Sequence, residues 1–277
     1  MIRQISILVF AMFAFLIACN KSDEVNPTNV DTSNAIATTE DIANVQYLEE
    51  EVDLEVEEIT DTRDPGDCPE ITSLLPKGEF PNTITIDFGD SCVRRNDHVF
   101  SGIIIVEVTG PKNEAGSVRT ITYDGFAIDG ILHTGSRTIT ITGVDDEGNV
   151  TLTKDVDIQL EFPNGQTATW ISSRTMQQTE GGSTPYRYDD SWIITGSTEG
   201  VNRNGDNFTA EITEQLVVSS ACRWLISGII TTEVTVENEV QTHSINFGYP
   251  SGDCDNLALV TLSNGDEKVI RVRRRWW

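Results

Sequence analysis

Strict alternation of apolar and polar residues is the feature that most restricts how this chain can fold. It is clearest in VTLTKDVDIQLEF at 150–162, where the apolar residues share one parity: Val150, Leu152, Val156, Ile158, Leu160 and Phe162. A repeat of two is that of a β-strand with one buried face. About twelve segments from residue 66 onward fit this template, and most are joined by short turns such as DDEGN at 145–149. The pattern predicts an all-β fold without βαβ units.

Short turns favour antiparallel pairing, so the strands are expected to form a meander. About twelve strands are more than an open twisted sheet usually carries without curling or splitting. We therefore expect a strongly curved sheet over residues 66–277, either barrel-like or folded into two layers. An internal repeat supports this, because SGIIIVEVT at 101–109 and SGIITTEVT at 227–235 agree at seven of nine positions.

Four cysteines follow the same repeat. TIDFG and INFG, at 85–89 and 245–248, each precede a cysteine, Cys92 and Cys254. Cys68 and Cys222 lie 24 and 32 residues before them. Four cysteines allow three connectivities, and the parallel spacing favours Cys68 with Cys92 and Cys222 with Cys254. No Cys-x-x-Cys spacing supports a metal site.

The N-terminal region predicts an exported, lipid-anchored protein. Arg3 precedes an apolar stretch of 13 residues, 5–17, which is shorter than the roughly 20 residues that a membrane span needs. The stretch ends in LIAC, so residues 1–18 resemble a bacterial lipoprotein signal peptide, with Cys19 as the acylated N-terminus. The alternatives are an ordinary secretory signal and an anchor helix.

Residues 19–37 are rich in Ser, Thr, Asn and Asp and are predicted to be a lipidated, flexible tether. Acidic residues soon after Cys19 resemble the export signal of Bacteroidota lipoproteins that face the extracellular side of the outer membrane. The predicted partner is thus a lipid bilayer, bound through acylated Cys19.

An acidic segment separates the tether from the strands. Residues 40–70 hold 13 acidic residues and one basic residue, nearly half of the net charge of −25. The spacing of apolar residues over 38–62 predicts a short helix or spacer, with Thr38 and Asp41 as a capping box. Its acidic run is typical of a solvated helix face, although a basic partner or cations are an alternative. So negative a chain is not expected to bind nucleic acid.

The motifs CPEIT, SVRTITYDGF, CRWLISG and GDCDN, in this order with the two repeats, resemble a widespread set of uncharacterised Bacteroidota surface lipoproteins. The resemblance covers nearly everything after Asp67, together with the lipoprotein signal and the acidic helix. It implies location and fold, and it carries no activity.

Catalytic motifs are not recognisable, so the sequence predicts no enzyme, no cofactor and no metal. The three histidines, His98, His133 and His243, lack metal-ligand spacing and favour core or surface roles. The candidate ligand-binding residues are aromatic and flank the TEGGSTP segment: Trp170, Tyr186, Tyr188 and Trp192. Such rings could stack on sugar faces, although aromatic residues are also ordinary packing residues of sheets.

Two functions are compatible with these features. One is a noncatalytic binding or structural role in the cell envelope, with a glycan or an envelope protein as partner. The other is a glycan-binding or carbohydrate-degrading surface protein that uses carboxylates for catalysis.

Substitution of the lipidation residue tests the anchor. We expect Cys19→Ser to abolish incorporation of labelled palmitate and to release the chain from membranes, because the thiol is the only acceptor in the predicted signal. The measurement is labelling followed by membrane fractionation. Palmitate incorporation that survives the substitution would contradict the prediction.

Overall fold

The structure, a computed structural model, describes residues 32–62, 67–94, 97–184, 189–222, 224–236 and 238–272. The predicted signal peptide, Cys19 and most of the predicted tether lie outside the described residues. The described residues form one helix, α1 (Thr32–Thr62), and fourteen strands. The strands are β1 (Glu70–Ser73), β2 (Asn82–Asp87), β3 (Cys92–Val93), β4 (Val99–Val108), β5 (Val118–Ile128), β6 (Ile131–Val144), β7 (Val150–Glu161), β8 (Thr167–Glu180), β9 (Ser191–Val201), β10 (Asn207–Ser219), β11 (Ser227–Val236), β12 (Glu239–Asn246), β13 (Leu257–Thr261) and β14 (Glu267–Arg271).

A single antiparallel sheet contains all the strands. Its order is β1-β2-β4-β5-β6-β7-β8-β9-β10-β11-β12-β13-β14, and the short β3 pairs with β4. The edge strands β1 and β14 are not hydrogen-bonded to each other, so the sheet is not closed. This confirms the predicted all-β antiparallel meander, with two more strands than the estimate from sequence.

The helix differs from the prediction in its length and its surroundings. It spans 31 residues and begins at Thr32, six residues before the predicted start, so position 38 lies within the helix and not at its N-terminus. Its apolar stripe is buried as expected: Ile42, Val45, Leu48, Val52, Val56 and Ile59. Among the described residues, no helix combines the length and the apolar character that a membrane span requires.

The sheet curves around the helix. Arg203, in the turn after β9, pairs with Asp41 near the start of the helix, and Lys112, in the turn after β4, pairs with Asp61 near its end. The two turns lie at opposite ends of the antiparallel strands. The helix therefore runs along the inner face of the sheet toward the end that carries the turns β4–β5, β6–β7, β8–β9 and β10–β11, which we call the mouth end.

The two disulfides have the predicted connectivity. Cys68 is bonded to Cys92, and Cys222 is bonded to Cys254. In the chain-entropy account, each loop that is closed in this way stabilises the fold by roughly 3 to 4 kcal/mol.

Glycines explain the internal repeat. Gly102 of β4 and Gly228 of β11 have positive φ angles of 75° and 116°. A Cβ at Gly102 would lie 2.2 Å from the carbonyl oxygen of Gly125, and one at Gly228 would lie 2.5 Å from that of Gln215. The carbonyl oxygens of Gly102 and Gly228 accept from the amides of Phe88 and Phe247, respectively. The repeated SG pair thus marks two places where a neighbouring strand passes too close for any side chain.

A comparison of two glycines tests this. We expect Gly102→Ala to lower the free energy of unfolding by about 3 kcal/mol, because the methyl group overlaps backbone atoms and the φ angle disfavours L-residues. Gly143→Ala on β6 is the matched control, since nothing lies within 4 Å of its Cβ position. Urea denaturation of both variants measures the difference. Equal effects of the two substitutions would contradict the role assigned to Gly102.

Candidate functional site

Three adjacent strands each direct a base toward the helix. Arg137 on β6, Lys154 on β7 and Arg174 on β8 are only 0%, 2% and 5% exposed. Lys154 and Arg174 are direct partners across β7 and β8. All three occupy the parity of the inward-facing residues on their strands, so alternation alone places these cations inside the sheet.

The partners of these bases are carboxylates of the helix. The guanidinium of Arg137 donates to Glu49 Oε2 at 2.6 Å and to Asp53. Lys154 Nζ donates to Glu50 Oε1 at 3.2 Å and to Asp53. Arg174 lies 3.9 Å from Glu50. We call these six residues the ion-pair layer, and its three acids and three bases balance in charge.

Mutual attraction favours the charged forms of Glu49, Asp53, Arg137 and Lys154 despite their burial. Burial acts to raise the pKa of Glu49 and Asp53, but attraction to Arg137, and at Asp53 also to Lys154, outweighs it and lowers both pKa values. The same carboxylates raise the pKa values of Arg137 and Lys154 above their usual ranges, against the effect of burial. For Arg174 burial prevails and lowers its pKa, which agrees with its longer distance to Glu50.

The three histidines lie in the core, as the sequence favoured. His133 Nε2 lies 3.5 Å from Glu49 Oε1, at the side of the ion-pair layer. His98 Nδ1 lies 2.6 Å from Asp129 Oδ2, and both side chains are buried. His243 is 2% exposed, and burial lowers its pKa.

A cavity of about 820 Å³ opens between the helix and the sheet on the mouth side of the ion-pair layer. Glu50, Asp53 and Lys154 belong both to the layer and to the cavity lining, so the layer forms its floor. The walls are largely aliphatic, with side chains from β4 to β10: Val108, Val118, Ile139, Ile141, Val150, Leu152, Met176 and Val218. A cavity of this size with an apolar wall is typical of small-molecule sites, and here charged and polar groups also line its floor and mouth.

Polar and aromatic groups stand at the mouth of the cavity. Trp192 and Trp224 both line it, and Trp224 stacks on Tyr47 of the helix with ring centroids 4.9 Å apart. Asp190 accepts a hydrogen bond of 2.9 Å from Gln178 Nε2. Burial, together with repulsion from Glu57 and Asp189, raises the pKa of Asp190 to about 6.

The four aromatic candidates have different outcomes. Trp192 is partly buried and lines the cavity. Trp170 is only 3% exposed and packs against Phe208, which is the sheet-packing role that the sequence left open as the alternative to sugar stacking. Its even-numbered parity on β8 directs it to the core. Tyr186 and Tyr188 lie outside the described residues.

The expectation of a solvated acidic helix face is wrong. Glu49, Glu51 and Glu55 are at most 3% exposed, because the sheet supplies bases on its inner face. The bases that pair with this face belong to the chain's own sheet. The missed signal was Lys154, which falls among the apolar residues of VTLTKDVDIQLEF.

Neither a metal centre nor a match to a known protein points to a second site. Within the described ranges, no group of three or more His, Cys, Asp or Glu side chains is placed to hold a metal ion. Comparison with protein-family models, curated proteins and solved structures gave no match.

Removal of one buried base tests the ion-pair layer. We expect Arg137→Met to lower the free energy of unfolding at pH 7 by about 3–5 kcal/mol, because it leaves Glu49 and Asp53 with an uncompensated buried charge. Arg271→Met on the edge strand β14 is the control, since Arg271 is exposed and, among the described residues, bonds only Asn256.

The loss should depend on pH. The lowered pKa values of Glu49 and Asp53 mean that their stabilising contribution is present above the ordinary values of 4.5 and 3.8 and is lost as the pH falls below them. The difference between the native chain and Arg137→Met should therefore shrink in acid. Urea denaturation between pH 3 and pH 7 measures it, and a difference that does not change with pH would contradict the assignment.

Proposed function

We propose that this protein is a lipid-anchored, noncatalytic binding protein of the outer membrane that faces the extracellular side and holds a ligand in the cavity at its mouth end. The observation that carries the binding role is the cavity of about 820 Å³ with its aliphatic walls and charged floor. The predicted lipoprotein signal, the acidic residues after Cys19 and the resemblance to Bacteroidota surface lipoproteins support the location.

The cavity supports a bound apolar ligand better than a filled core. A folded interior normally packs side chains closely, and apolar voids cost stability in proportion to their size. Here apolar residues of β4 to β10 line an open cavity, while the helix that fills the rest of the interior is fixed by charges. A ligand that covers these side chains would gain the hydrophobic free energy that the helix leaves unused.

The charged residues of the floor are positioned to hold the helix. Each carboxylate of the layer has a base as partner, and the bases reach it from three neighbouring strands. This supports a structural role for the charges and a binding role for the space above them.

Blocking the cavity tests the binding role. We expect the full chain in amphipol to bind the uncharged fluorescent probe N-phenylnaphthylamine saturably, one molecule per chain. Leu152→Trp should weaken binding about tenfold or more, because the indole fills space in the cavity. Ile171→Trp is the matched control, since Ile171 is 45% exposed on the outer face of the neighbouring strand. Absence of saturable binding, or equal loss in the two variants, would contradict the proposal.

Location is tested separately. Brief protease treatment of intact cells should degrade the chain, and mass spectrometry of the mature N-terminus should show an acylated Cys19. Full protection from the protease would contradict display on the cell surface.

A glycan ligand is the second candidate, and Trp192 favours it. Its partly buried ring lies at the mouth beside Gln178 and Asp190, which supply amide and carboxylate groups for sugar hydroxyls. A glycan array combined with turnover assays distinguishes the roles. Retention that Trp192→Ala abolishes would favour glycan binding, and product release that a single Asp or Glu substitution abolishes would overturn the noncatalytic role.

A further inference from the structure

Bases are scarce in this chain, and most of the described ones have an acidic partner. Ten lysines and arginines lie within the described residues. Seven of them are ion-paired with carboxylates: Arg94, Lys112, Arg137, Lys154, Arg174, Arg203 and Lys268. Two more bond neutral groups, since Lys77 donates to the carbonyl of Asp61 and Arg271 donates to Asn256.

Arg119 is the exception. Within the part of the chain that the structure describes, it is the one base without a hydrogen bond or an ion pair. It is partly buried, it lies on β5, and it lines the cavity. Its direct partners across the sheet are aliphatic, Val108 on β4 and Ile139 on β6. A guanidinium with five donors therefore stands in an aliphatic wall, in a chain with 44 acidic residues.

Four of the six acids that line the cavity are ion-paired with lysines. Glu50 and Asp53 pair with Lys154, and Glu57 and Asp61 pair with Lys112. Asp190 lies just before β9, on the other side of β6, β7 and β8. The wall formed by β4 to β6 thus presents a positive charge above an apolar surface.

We propose that the cavity's ligand is a long-chain carboxylate of the fatty-acid class, with its apolar chain against the aliphatic wall and its carboxylate on Arg119. This inference rests on the proposed function, because it names the ligand class of the same cavity. A guanidinium binds a carboxylate through two parallel, charge-assisted hydrogen bonds, which fixes the orientation of the head group. The aliphatic side chains supply most of the affinity, and the arginine makes the cavity prefer a negatively charged head group.

Three ligands with the same chain and different head groups test the inference. Terminally brominated dodecanoate, dodecanol and dodecylamine are titrated into the full chain in amphipol, and quenching of the fluorescence of Trp192 and Trp224 reports occupancy of the cavity. We expect dodecanoate to bind more tightly than the other two. Arg119→Gln should weaken dodecanoate about tenfold and leave dodecanol unchanged, because only the anionic head group loses its partner.

The controls separate this inference from the proposed function. Arg271→Gln should leave all three affinities unchanged, since Arg271 lies on β14 outside the cavity. Equal binding of the three probes, or tighter binding of dodecylamine through Asp190, would overturn the carboxylate ligand and leave the binding role intact. No saturable quenching by any probe would overturn both.

Discussion

The fold depends on the neutralisation of an acidic helix by bases that the sheet directs inward. A helix with Glu49, Glu50 and Asp53 on one side could not lie in an apolar interior by itself, because unpaired buried charges are very costly. Arg137, Lys154 and Arg174 remove this cost, and each comes from a different strand of the sheet. Replacing such pairs with apolar residues is often neutral or stabilising, so the pairs are best understood as a device that fixes position. They set both the depth and the rotation of the helix.

The ion pairs that hold the helix also affect how the interior is filled. A helix held by charges does not need to be covered closely along its whole length, and on the mouth side of the ion-pair layer the sheet stands away from it. The cavity is the result, with the layer as its floor and aliphatic residues as its walls. It lies at the mouth end, where residues of the turns β4–β5, β6–β7, β8–β9 and β10–β11 contribute to its lining. The buried Cys222, in the turn between β10 and β11, is tied by a disulfide to Cys254, which holds part of this rim in place.

The electrostatics of the cavity vary over short distances. Near β9, Asp190 shares its surroundings with Glu57 and Asp189, and its raised pKa reflects both burial and their repulsion. Near β5, Arg119 stands among aliphatic residues. The overall charge of −25 therefore says little about which ligand the interior prefers, because screening and pairing limit each charge to its own neighbourhood.

The sequence by itself determined the class of fold, the pairing of the cysteines and the apolar stripe of the helix. Alternation in segments such as 150–162 specifies strands whatever surrounds them, because the side-chain repeat is a local property of the backbone. The equivalent positions of Cys92 and Cys254 in the two repeats also allowed the disulfide pairing to be predicted from the sequence. Arg137 and Lys154 share the parity of the inward-facing residues on their strands. Parity predicts the direction of a side chain, but it does not predict which residue the side chain contacts.

Only the tertiary structure decided what the acidic helix and the aromatic residues do. A charge run has the same sequence whether water or bases face it, and the bases of the ion-pair layer lie 84 to 124 residues farther along the chain. Trp170 and Trp192 likewise share a residue type and a neighbourhood in sequence, yet one packs in the core and the other lines the cavity. The difference arises from the curvature of the sheet and the depth of the helix, which are set by contacts between distant residues.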